Sequence, residues 1–174
     1  DAGAWQSAID WWREAAEHGG GEAVVACLER AALIARVRLD DTVLAIKLYR
    51  ECFKRGSRMP SVLLDLFKLL GADDPELRFE VLARLIEVAE KIEEKDRFRG
   101  WYVILSDGLN RSLEQAFGYL MSMELEGSFD GNVTNAGYRI STRLDRQEEF
   151  RQLLKSLAVE FAERSPEYGD IFQG

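Results

Sequence analysis

Two stretches set 71 residues apart constrain this chain more than any other feature. Residues 112–127 read as one amphipathic helix with both ends marked. Ser112 followed by Gln115 predicts a capping box, in which hydroxyl and amide side chains satisfy the first backbone N–H groups. Gly127 predicts a left-handed stop, since glycine takes positive φ without a Cβ clash. Between them Ala116, Phe117, Leu120 and Met123 recur at helical spacing and form one apolar stripe. Residues 41–56 repeat the plan: an acidic cap at Asp41, then Ala45, Ile46, Leu48, Tyr49 and Cys52, and a closing Gly56. Cap, alanine and glycine keep the same offset, which is two periods of about 35 residues. A chain with that period buries its stripes by stacking helical hairpins.

The remaining pattern is helical throughout. Residues 4–18 place Trp5, Ala8, Ile9, Trp12 and Ala16 on one face, with Trp11 off it, and Gly19, Gly20 and Gly21 form a hinge. This is no phosphate loop, since no strand precedes it and no Lys-Ser/Thr follows. Further helices are expected over 22–39, 42–55 and 60–70. A fifth starts at the Asp74-Pro75-Glu76 cap and runs to about Lys95. A sixth covers 97–110, the seventh is 112–127, and an eighth spans 133–144 despite Gly137. A ninth is capped by Asp145, reaches Arg164 and is stopped by Ser165-Pro166. No segment alternates apolar and polar residues as a half-buried strand does. The expected fold is therefore all-α: a right-handed α-solenoid of antiparallel helix hairpins in a single domain over 1–174. Residues 1–21 supply the N-terminal helix and hinge, 22–164 the repeats and 165–174 a tail.

Composition excludes several functions. A net charge of −8, with Lys and Arg scattered among carboxylates, opposes a phosphate-binding face, so no nucleic acid is expected as partner. It equally opposes an anionic membrane surface. No run nears the roughly 20 apolar residues of a membrane span, so direct insertion is not expected. Cys27 and Cys52 both fall in apolar stripes and read as buried, reduced thiols. The first residue, Asp1, is not methionine, as in a processed chain whose targeting peptide is gone, although a chain cut for any other reason starts the same way. Processing suits an organelle or secretion, and the missing cysteine framework favours the organelle.

No active site emerges, and no cofactor or metal is expected. His18 is the single histidine, which leaves no multi-histidine metal site or spare catalytic base; at a helix end it suits the dipole. Ser106-Asp107 has no neighbouring base. The runs Glu87, Glu90, Lys91 and Glu93-Glu94-Lys95-Asp96 read as solvated helix faces, and Glu148 and Glu149 lie on a polar face with Arg151 and Gln152 in reach. The sequons at Asn110 and Asn132 carry no glycan in an intracellular protein. Two features mark an interface. Trp5, Trp11 and Trp12 cannot all share one stripe, so one indole is left for a partner. Tyr168, Ile171 and Phe172 are too apolar for a free tail, and dock on another chain or fold back.

Residues 45–56, Ala-Ile-Lys-Leu-Tyr-Arg-Glu-Cys-Phe-Lys-Arg-Gly, resemble the second helix of a pentatricopeptide repeat. Ala116 to Gly127 fits the same frame, with Met123 at the methionine position; the Trp, Leu-Gly, Tyr and Pro marks of tetratricopeptide repeats are missing. The resemblance covers 22–164, with clear repeats at 22–56 and 93–127 and degenerate ones between and after. Pentatricopeptide proteins usually bind single-stranded RNA in organelles, but the few repeats and the acidity here depart from that pattern. The chain is more similar to the extra-subunit family that euglenozoan mitochondria add to the catalytic head of ATP synthase. That resemblance implies a non-enzymatic structural subunit on the outer face of the α subunit, at the matrix side of the inner membrane. An organellar RNA-binding protein, or an accessory subunit of another complex such as the mitochondrial ribosome, are the alternatives.

Overall fold

The computed structural model describes residues 2–19, 22–72 and 74–164. Among the described residues every regular element is helical: α1 (Ala2–His18), α2 (Glu22–Arg38), α3 (Thr42–Lys54), α4 (Pro60–Leu70), α5 (Pro75–Val88), α6 (Ile92–Leu109), α7 (Leu113–Met121), α8 (Gly131–Arg143) and α9 (Gln147–Arg164), with a 3₁₀ turn at Glu126–Ser128. The chain divides into two compact units, Asp1–Val88 and Ala89–Gly174.

In the first unit each helix packs on the next, from α1 to α5. Small residues set the spacing of α2, whose Ala31, Ala32 and Ala35 are fully buried. Without long side chains between them, α2 closes on both its neighbours. The caps are local. Asp41 accepts a hydrogen bond from the Leu44 N–H at 2.9 Å, and Asp74 accepts one from Leu77 at 3.2 Å. Pro60 stands at the start of α4. Helices two apart are also tied: Arg36 of α2 pairs with Asp65 of α4, and Arg84 of α5 donates to the Phe53 carbonyl of α3 at 2.7 Å while lying over its ring.

In the second unit α6 packs on α7 and α8, and α8 packs on α7 and α9. Gly137 allows the α8–α9 approach, because a Cβ there would stand 2.4 Å from Phe150 Cζ. The glycine that weakens α8 as a helix is therefore the residue its packing requires. Asp107 clips α6 to α8, accepting from Arg139 at 2.6 Å and Arg143 at 2.9 Å.

Several expectations need correction. The fifth helix does not reach Lys95; it ends at Val88, and α6 starts at Ile92 after an extended Lys91. Neither glycine nor proline marks that break. The stripe of α5 packs on α4, whereas that of α6 packs on α7 and α8. The seventh helix stops at Met121, six residues short of Gly127, and Ser112 adopts a left-handed φ of 53° with no side-chain cap. Gln115 instead accepts from the Tyr102 hydroxyl at 2.7 Å. The eighth helix begins at Gly131, because Asp130 caps it through the Asn132 and Val133 N–H groups. Asp145 sits in the preceding turn at φ 56° and α9 starts at Gln147, so it is not the residue next to the helix. Asp96 is not on a solvated face but fully buried. Cys27 is only half-buried, whereas Cys52 is buried; both are free thiols.

Candidate docking surfaces

The tryptophans of α1 are placed by helix geometry. Ile9 is the fully buried centre of the packed face. At about 100° per residue, Trp5 and Trp12 fall within about 60° of it, and Trp11 points nearly the opposite way. Trp5 and Trp12 are half-buried accordingly, with the Arg38 guanidinium 4.9 Å from the Trp5 ring. Trp11 is 60% exposed, and its ring stands edge-on to Trp12 at 4.6 Å. Exposed Asp10, Glu14 and Glu17 share α1 with it, beside one cation, Arg13. A large exposed indole can anchor a protein contact, since buried tryptophan supplies much of the energy in many interfaces. Tyr168, Ile171 and Phe172 lie outside the described residues.

A second surface was not anticipated. Between α2, α3 and α4 runs a groove of about 370 Å³, lined among others by Ala26, Leu33, Met59, Val62 and Asp65, with Tyr49 in its floor. Leu33 and Met59 are each 48% exposed. The Tyr49 hydroxyl donates to Asp65 at 3.2 Å. Burial, with the nearby Asp65 charge, pushes the Tyr49 phenol up to about 12. A second hollow of about 460 Å³ shares Ala26 and Glu29 with the first, and adds Glu22, Arg55, Ser57 and Arg58. The sequence does carry a trace of this surface: Ala26, Arg30, Leu33 and Val37 form a second stripe on α2 at helical spacing. It escapes notice because α2 is apolar on much of its circumference.

Reactive chemistry is not assembled around the candidate groups. His18 is exposed at the end of α1. Cys52 has its thiol pushed up to about 12 by burial and the Glu29 charge, so it is not a nucleophile at neutral pH. Ser106 is buried with no hydrogen-bond partner for its hydroxyl, and the adjacent Asp107 is occupied by two arginines. Glu148 accepts from Gln152 at 3.5 Å and pairs with Arg151 at 3.6 Å on the polar face of α9. Among the described residues no three His, Cys, Asp or Glu side chains converge as metal ligands, and no helix is long and apolar enough to cross a membrane.

Comparison with known proteins adds no relative: no family model, curated protein or solved structure matches this chain significantly.

Proposed function

We propose that this chain is a non-catalytic structural subunit, a right-handed α-solenoid of pentatricopeptide-like hairpins that docks on a larger mitochondrial assembly. The outer face of the α subunit in the ATP synthase catalytic head is the partner we favour, with the chain held at the matrix side of the inner membrane through that complex. The repeated helical hairpins and the ties between helices two apart support the scaffold reading. The exposed Trp11 is the observation that carries docking, because a solvated indole on the outer side of α1 takes no part in the core around Ile9. The net charge of −8 favours a protein partner over RNA.

Native purification of the tagged chain from mitochondria tests the reading. The ATP synthase α subunit should co-purify, and Trp11→Ala should weaken its recovery at least about tenfold, as for a central interface tryptophan. Recovery of ribosomal proteins without the α subunit, or salt-sensitive retention of RNA, would overturn it.

A further inference from the structure

The two hollows lie side by side along α2, where Ala26 and Glu29 line both, and we treat the pair as one groove. Its ends differ in chemistry. At one end Leu33 and Met59 present half-exposed side chains above Val62. At the other stand Glu22 and Glu29 with Arg55 and Arg58. Those two arginines are already engaged, Arg55 with Glu51 at 2.7 Å and Arg58 with Glu87 at 3.1 Å. Glu29 accepts from the Ser57 hydroxyl at 2.7 Å, and among the described residues neither Glu29 nor Glu22 has a salt bridge. Asp65 is neutralised by Arg36, and Arg30, which lines the first hollow, has no salt bridge among the described residues. The open charge at the polar end is therefore negative, and the open apolar surface lies further along the same helix.

We infer that this groove binds an extended peptide segment carrying a basic residue and, a few residues away, a large aliphatic one. From Glu22 to Leu33 the helix rises about 16 Å, which an extended chain covers in about five residues. The basic side chain meets Glu22 and Glu29, and the aliphatic one sits on Leu33 and Met59 over Tyr49. Each hollow falls in the size range of ordinary ligand sites, about 300–1,000 Å³. The inference rests on reading the chain as a docking subunit, but uses a different face from Trp11.

The test is fluorescence anisotropy of the full chain with labelled Gly-Lys-Lys-Gly-Leu-Leu-Gly and its reversed order. One order should bind. Replacing Lys-Lys by Glu-Glu, or Leu-Leu by Ser-Ser, should weaken it at least about tenfold, the worth of one exposed-to-buried leucine. Leu33→Ser and Glu29→Gln should each do the same in the protein, with circular dichroism unchanged. Raising salt from about 0.05 to 0.5 M should weaken binding, because the carboxylates are partly solvated. The proposal is overturned by no binding of either order or by equal binding of the Glu-Glu peptide. Displacement by oligouridine overturns it too, as does a dimer that Leu33→Ser converts to monomer. Apart from displacement by oligouridine, which counts against both, none of those results touches the docking proposal, which is read from Trp11→Ala in the native purification.

Discussion

The α2–α3 hairpin and the α6–α7 hairpin carry matched sequence marks and end their second helices by different physics. In α3, Asp41 caps the start through its side chain. At the far end the Gly56 N–H bonds to the Phe53 carbonyl and Ser57 to Cys52, with Gly56 at φ 85°. That is a Schellman stop, complete within the local chain. In α7 neither mark works. Ser112 is left-handed and bonds nothing as a cap, and Gly127 falls in a separate 3₁₀ turn. The stop combines local bonds, the Ser122 N–H and hydroxyl donating to the Tyr119 carbonyl, with α6, where buried Asp96 accepts the Glu124 and Leu125 N–H groups at 2.9 and 3.0 Å. Arg99 completes it, bonding Asp96 at 2.8 Å and the Ser122 carbonyl at 2.6 Å. The residue of α2 in register with Asp96 is Val25, so the first hairpin cannot make this contact. Similar sequence signals therefore license a helix end without dictating where it falls.

The comparison breaks most visibly at Asp96. Asp96→Ala strips the nearly buried Arg99 of its carboxylate and leaves the Glu124 and Leu125 N–H groups without their acceptor, and should cost about 3–5 kcal/mol in chemical unfolding. A loss below about 1 kcal/mol would show that α7 ends by local signals after all. Next come the two glycines. Gly56→Ala should cost about 1–2 kcal/mol, because alanine resists the left-handed region. Gly127→Ala should stay within about 0.5 kcal/mol, since Gly127 has no positive φ and open space where a Cβ would go. Equal losses would mean that both glycines terminate helices alike. The caps should separate similarly by thermal melting: Asp41→Ala losing about 1 kcal/mol and Ser112→Ala almost nothing. A modest effect at neutral pH falls on Tyr49, whose counterpart in α7 is Leu120. Tyr49→Phe should change stability by about 1 kcal/mol or less at pH 7. The native phenol is raised from 10.0 to about 12. The stability linked to that proton is whole below the unfolded value and is lost as pH climbs through the folded one. Unfolding titrations between those pH values should slope downward in the native protein and less steeply in Tyr49→Phe, where the raised Cys52 thiol keeps a residual slope. An unchanged slope would remove Tyr49 as the source.

How much was legible follows from this contrast. α2, α3 and α4 fall within about one residue of their expected bounds, inside the usual uncertainty of helix ends. Their stops are glycine, proline and aspartate acting on neighbouring backbone. The exposed Trp11 was legible too, because helical phase alone turns it from the stripe of Ile9. The groove was not, since Leu33 on α2 and Met59 before α4 meet only through packing against α3. Gly137 was readable as a weakness and not as a contact, because Phe150 belongs to the next helix.

The amino-acid order by itself determined that this chain is helical and which indole of α1 is left in solvent. These properties depend on rotation per residue and on caps that bond within one turn. Tertiary structure alone decided that α5 and α6 separate at Ala89–Lys91, that α7 stops at Met121 and that Asp96 is buried. Each of those outcomes depends on which distant helix satisfies a freed N–H or covers a stripe. A carboxylate 28 residues away in sequence leaves no local trace of the backbone amide it will hold.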